Sequence, residues 1–221
     1  MARKTAEEAE RTRQKILASG AQVFASSGFA CATLDIIAKQ AGLSRGAVYW
    51  HFKGKEELLL VILQDTSLPI EHFYSAELDL QHNIQRLHIA IQQTFTQVES
   101  RQLCEILLKK SGNRSAAAPI TERLHQAQGN FTFQMKNMLK SAISKGEVDP
   151  KLDINLTCRL LQMCLSGLLF ECLQGSLDVR SHLKNMLDVI GDVLSKLTAH
   201  LHTAPTTDGY RKNTGVSLNH C

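Results

Sequence analysis

The sequence predicts an all-α protein, with an N-terminal three-helix unit built around a helix-turn-helix and a larger helical domain after it. Three observations predict this. Only 4 of the 221 residues are proline, several long runs repeat apolar residues at steps of three and four, and no run alternates apolar and polar between turn signals. A chain of this length buries a sizeable core in one large or two modest domains.

Residues 1–8 are polar and basic and read as a mobile arm. A first helix is expected over 10–26, with Ile16, Leu17, Ala21 and Phe24 facing inward and Gly28 as its C-terminal cap. The stretch 34–52 organises the rest of the unit. Leu34, Ile37, Ala38 and Ala41 share one face of a short helix capped by Thr33, Gly42 gives the backbone freedom for a sharp turn, and Leu43 plugs the corner. Ser44 caps a second helix, on which Ala47 and Val48 face back onto the first. Arg45, Gly46, Tyr49, Trp50 and His51 are left pointing outward. A guanidinium, a phenol, an indole and an imidazole make a poor core and a good surface for DNA; an ordinary helical hairpin with exposed aromatics is the alternative. Lys53 to Glu57 form a turn and begin a fourth helix, with Lys55 placed to grip the DNA backbone and Pro69 ending or kinking the helix after Ser67. The domain boundary falls along this helix, giving domains 1–55 and 56–202.

In the second domain, helices are expected over 80–98, 101–110, 120–145 and 154–174, with a loop over 111–119 and Gly146 as a stop. The fourth of these is apolar nearly all the way round, which implies burial on several sides. Over 179–202, Leu183, Leu187, Ile190, Leu194, Leu197 and Leu201 make a heptad seam. Two such helices exceed what one small domain needs, so they are expected to pair with their copies in a four-helix homodimer interface; packing within one chain is the alternative. Residues 203–221, rich in Thr, Asn, Gly and charge, read as a disordered tail.

Nine Lys and Arg stand against four acids in residues 1–55, so the net positive charge belongs to the helix-turn-helix unit, as phosphate contact requires. The most apolar run, 160–173, is short and contains Gln162 and Glu171, so no membrane span is expected, and the N-terminus lacks an apolar signal core; the chain is read as cytoplasmic. The six cysteines show no Cys-x-x-Cys pair and no zinc spacing with the nine histidines, and no His-Glu-x-x-His, Gly-x-Ser-x-Gly, P-loop or dinucleotide pattern occurs. Neither catalysis nor a cofactor or metal is expected.

Thr33-Leu34, Ile37-Ala38, Ala41-Gly42, the run from Ser44 through Phe52, and Lys55 followed by Leu58 resemble the signature of TetR-type transcriptional regulators. The Arg-Gly-Ala-Val-Tyr-Trp-His-Phe run is most similar to the AcrR-like branch, which represses multidrug efflux pumps. The resemblance covers about the first quarter of the chain. It implies that Thr33, Tyr49, Trp50, His51 and Lys55 contact phosphates and sugars, and that Arg3 and Lys4 approach the DNA from the arm. Arg45 is the first choice for base contact, since a guanidinium bridges guanine N7 and O6, while Gly46 and Ala47 let the backbone approach. With Ser44, these residues are the expected DNA-binding set of a homodimer on a palindromic operator.

The resemblance also implies a ligand-binding pocket in the second domain, for a small hydrophobic or cationic inducer. The candidate lining is Leu63, Leu87, Ile91, Phe95, Leu107, Phe131, Met135 and Phe170, all of which equally suit plain core. Glu105 and Glu171 lie in apolar runs, where each either pairs with an arginine or meets a cationic ligand. Where the AcrR-like branch commonly has Lys-Cys-Glu this chain has Lys110-Ser111-Gly112, and no Trp follows Ser166-Gly167-Leu168, so ligand identity does not carry over. A constitutive regulator, or a redox-responsive one acting through Cys31, is the competing reading.

Overall fold

The computed structural model describes residues 2–109, 114–173 and 188. Apart from Asp188, the expected final helix over 179–202 and the tail lie outside the described residues. The elements run α1 (Ala2–Cys31), α2 (Leu34–Ala41), α3 (Arg45–His51), α4 (Lys55–Asp65), a 3-10 turn (Pro69–Glu71), α5 (Leu80–Thr96), α6 (Val98–Leu108), α7 (Arg114–Ser144) and α8 (Ile154–Leu173). All are helical, as the spacing predicts.

Four boundaries differ from expectation, each for a local reason. The expected arm is helical from Ala2, where the sequence holds no glycine or proline before Gly20 and supplies the helix formers Ala6 and Ala9. At Gly28 (φ 78, ψ 159) α1 breaks out of helical geometry. Before reaching Pro69, α4 stops at Asp65, and the proline instead begins the 3-10 turn, where its fixed φ suits a first helical position. In place of a loop, residues 114–119 are the start of α7, because Ala116, Ala117 and Ala118 are the strongest helix formers and Pro119 lies near the helix start. At the far end of α7 the Gly146 and Glu147 amides donate to the carbonyls of Ile143 and Ala142 (3.0 and 2.8 Å), closing the helix as Gly146 predicts.

The described residues pack into two hydrophobic cores. The first joins α1–α4 to Leu103, Cys104, Ile106 and Leu107 of α6 and to Ala116, Ile120 and Ala127 of α7, so it runs across the expected boundary at residue 55. The second packs Leu87, Ile91 and Phe95 of α5 against Phe131, Met135, Met138 and Leu139 of α7, and against Cys158 and Leu168 of α8.

Between the cores sits a buried ion pair. Glu71 (2% exposed) faces Arg123 of α7 (7% exposed), whose Nη1 and Nη2 donate to the two carboxylate oxygens at 3.0 and 2.7 Å. The Leu68 amide (2.8 Å) and Asn130 Nδ2 (3.0 Å) also donate to Glu71. The remaining donors of Arg123 reach back to α4 and its end, Nε to the Leu63 carbonyl and Nη2 to that of Thr66, both at 3.0 Å. Burial pushes the Glu71 pKa up, but the donors from Arg123, Leu68 and Asn130 outweigh it and hold the carboxyl below its ordinary range.

A carboxyl depressed in the folded state stabilises the fold at pH above its unfolded pKa, and that stabilisation is lost as the pH falls through the folded value. Glu71→Ala is therefore expected to cost about 3–5 kcal/mol at neutral pH by leaving Arg123 buried and unpaired. The deficit should narrow in acid, where the parent loses the same interaction. Urea denaturation of parent and variant across a pH series measures both effects; a deficit that stays constant into acid would contradict the assignment.

Candidate functional site

The α2–α3 unit is closed at each of its three junctions by the residue the sequence nominates. Thr33 Oγ1 accepts from the Ile36 amide (3.2 Å), capping α2. Gly42 is left-handed (φ 62), and its amide and that of Leu43 donate to the carbonyls of Lys39 and Ala38, which stops the helix sharply. Ser44 Oγ then accepts from the Ala47 amide (3.2 Å), starting α3. Val48 is fully buried and anchors α3 on the core, with Ala47 half-buried beside it.

The opposite face of α3 is open. Trp50 is 74% exposed and Tyr49 45%, and the Trp50 ring meets the half-buried His51 edge-on at 4.5 Å. Arg45 Nε lies 3.1 Å from Asp35 Oδ1, its Nη2 donates to the Tyr49 hydroxyl (3.3 Å), and the guanidinium sits 5.2 Å from the Tyr49 ring centre. The hydrogen bond to Tyr49 and the charge of Asp35 push the Arg45 pKa up, so this group is a fixed cation. Gly46 is exposed, and a side chain there would meet nothing closer than Ser44 Oγ at 4.0 Å. Arg45, Gly46, Tyr49 and Trp50 thus share one cationic, aromatic surface.

Lys55 is used differently from what its position suggests. Its Nζ donates to the carbonyls of Phe29, Ala30 and Ala32 (2.9, 3.4 and 2.9 Å) and lies over the Phe29 ring. Its donors thereby cap the broken end of α1 instead of standing free. At the end of α6 the Nζ of Lys109, its C-terminal cap residue, does the same just upstream, donating to the carbonyls of Ala25 and Ser26.

A cavity of about 130 Å³ lies among α5–α8, Leu68 and the 3-10 turn. Of the expected lining it is walled by Phe95, Leu107 and Phe131, joined by Leu68, Ile70, Leu124, Leu165 and Leu169 and by the uncharged polar side chains of Thr94, Gln128, Gln162 and Ser166. Leu63, Leu87, Ile91 and Met135 are buried in the two cores and do not wall the cavity, although Ile91 and Met135 lie one turn along the same faces as Phe95 and Phe131. Phe170 points outward at 54% exposure, roughly a quarter of a turn round α8 from Leu169, which walls the cavity. Glu105 is paired with Arg101 one turn earlier on α6 (3.0 Å), and Glu171 is exposed on α8; neither lines the cavity. Of the cysteines, Cys31 and Cys164 are exposed, whereas Cys104 forms part of the cavity wall, where burial pushes its thiol up to about 12.

Among the described residues no helix is long and apolar enough to cross a membrane, and no cluster of His, Cys, Asp or Glu is arranged to hold a metal.

The sequence model for bacterial regulatory proteins of the tetR family matches residues 16–62, from mid-α1 through α4. The transcriptional regulator SrpR of Pseudomonas putida is 36% identical over 175 residues, spanning 79% of this chain and 81% of that protein. The regulator AcrR of Shigella flexneri is 33% identical over 151 residues, spanning 65% and 67%. Among solved structures, SmeT in complex with triclosan superposes with a TM-score of 0.69 at 23% identity, covering 92% of this chain and all of that one, a likeness of fold. SmeT represses the Stenotrophomonas maltophilia multidrug efflux pump SmeDEF. With the family model over the first four helices and a relative 36% identical across most of both chains, the chain belongs to the tetR family of bacterial transcriptional regulators.

Proposed function

We propose that the protein is a homodimeric repressor of an efflux operon, bound to a palindromic operator through α3 of each protomer and released by a small neutral compound in the α5–α8 cavity. The observation that carries the DNA-binding half is the outward face of α3, where Arg45, Tyr49 and Trp50 surround an unsubstituted backbone at Gly46. Glycine in a helix costs about 1 kcal/mol against alanine. Nothing within the protein needs the missing side chain, so an outside partner that approaches the backbone closely accounts for it. Arg45 would read a guanine edge, Thr33, Ser44, Tyr49, Trp50 and His51 would set register on phosphates and sugars, and Ala47 would touch a thymine methyl.

Dimerisation is supported by α8. Leu156, Leu160, Met163 and Phe170 are all more than half exposed and fall at steps of four, three and seven, one continuous apolar stripe. The sequence over 179–202 also carries an apolar heptad, the pattern that such a seam requires. The cavity supports a neutral inducer over a cationic one, since among the described residues its wall offers amides and hydroxyls but no carboxylate. SmeT, which shares the fold, represses a multidrug efflux pump and forms a complex with triclosan, which favours an efflux operon as the target.

Fluorescence anisotropy of the full chain on DNA from immediately upstream of its own gene tests the reading. Tight, salt-dependent binding relieved by triclosan or the neutral dye N-phenylnaphthylamine, and not by a quaternary ammonium dye, is the expected result; binding that no compound relieves would leave a constitutive regulator. Arg45→Ala is expected to cost about 1–3 kcal/mol of operator binding and to narrow the gap between operator and scrambled DNA. Gly46→Ala should move two quantities in opposite directions, raising stability by up to about 1 kcal/mol while weakening operator binding, as thermal melts and the same titration would report.

A further inference from the structure

Beside the apolar packing that α6 shares with the head, one side chain ties the cavity wall to the end of α4 by hydrogen bonds. Arg123 immediately precedes Leu124 on α7 and lies one turn before Ala127, both of which wall the cavity. Its guanidinium turns away from the cavity to hold the carbonyls of Leu63, in the last turn of α4, and of Thr66, just beyond it. The counter-charge, Glu71, is reached along the chain from Leu68 and Ile70, which wall the same cavity from the other side.

At about 130 Å³ the cavity is smaller than the roughly 300–1,000 Å³ that drug-sized ligands occupy, so an occupant must part its walls. Parting them moves α7 against the Leu68–Ile70 side. A guanidinium is a planar fork, so its contacts to Glu71 and to the end of α4 cannot shift independently. Leaving any of these buried groups unpaired costs more than moving the helix end with them. Resting on the cavity reading above, we infer that Arg123 is the positioning residue that transmits cavity occupancy to α4, with Glu71 as the fixed point that makes the transmission stiff. Ligand and operator then oppose each other because α4 also carries Leu58, Leu59 and Ile62 into the core beneath α1–α3.

The test uses the full chain, operator DNA from upstream of its gene and N-phenylnaphthylamine as probe. Two variants are compared with the parent. Glu71→Leu with Arg123→Met removes both charges, so no buried ion is stranded. Arg123→Lys keeps a charge opposite Glu71 but loses the fork. Probe fluorescence gives binding to the cavity, and anisotropy gives operator affinity with and without probe. Both variants are expected to bind the probe within about twofold of the parent, while probe-induced loss of operator affinity falls from about tenfold or more to under about twofold. A variant that binds the probe normally and still releases DNA by the parental factor overturns the role of Arg123 and leaves the cavity reading intact. A parent that binds operator but not probe defeats the cavity reading, and the proposal with it. Hydrogen exchange tests the coupling in the parent alone: probe-induced change at the end of α4 supports it, and change confined to α7 overturns it.

Discussion

The pairing of Glu71 with Arg123 is the constraint on which the arrangement of the two cores depends. Apolar packing is non-directional and would tolerate α4 and α7 at several offsets. A buried carboxylate facing a buried guanidinium tolerates one, because every misplacement strands a charge in a medium that solvates it poorly. The pair is fully furnished: both carboxylate oxygens have two donors, and Arg123 also reaches the Leu63 and Thr66 carbonyls near the end of α4. Its value is in specifying where three segments meet more than in net stability, since desolvation offsets much of the attraction.

The head is made rigid by a different device. The break at Gly28 leaves the carbonyls of α1 without helical partners, and two lysines satisfy them from opposite sides, Lys109 from the body and Lys55 from the start of α4. On that base α2 and α3 are held by Thr33, Gly42 and Ser44 with no long loop between them. Arg45, Tyr49 and Trp50 are thereby displayed on a surface that has little ordering left to do on binding a partner, which lowers the entropic cost of association.

A feature is legible in the sequence when it leaves a local trace. A cap residue, a left-handed glycine and an apolar step of three or four are each written within one helical turn, and they place α2, α3 and α8 within a residue. Glu71 and Arg123 are 52 residues apart, Glu71 in a mixed segment beside Pro69 and Ile70 and Arg123 among the polar Thr121, Glu122 and His125, so neither signals that the other is its partner. Lys55 is legible as a lysine beside the turn, but not as a cap on carbonyls about 25 residues earlier, because any residue supplies a carbonyl. For the cavity, periodicity identifies buried positions such as Leu87, Ile91 and Met135 without distinguishing core from wall, and it passes over Gln128 and Gln162 because they are polar. Phe170 is misplaced by the same reasoning because α8 is apolar on both faces, and only the packing decides which one turns inward.

The first core has a consequence for how such proteins can be recombined. Leu103, Ile106 and Leu107 of α6 complete the hydrophobic surface of the head, and Lys109 caps its first helix. A head excised at residue 55 would carry an uncovered apolar flank and unsatisfied carbonyls, and would not be an autonomous folding unit. Chimeric regulators that graft this head onto another sensor therefore need to bring α6 with α1, so the interchangeable module is a discontinuous set of helices and not an N-terminal segment.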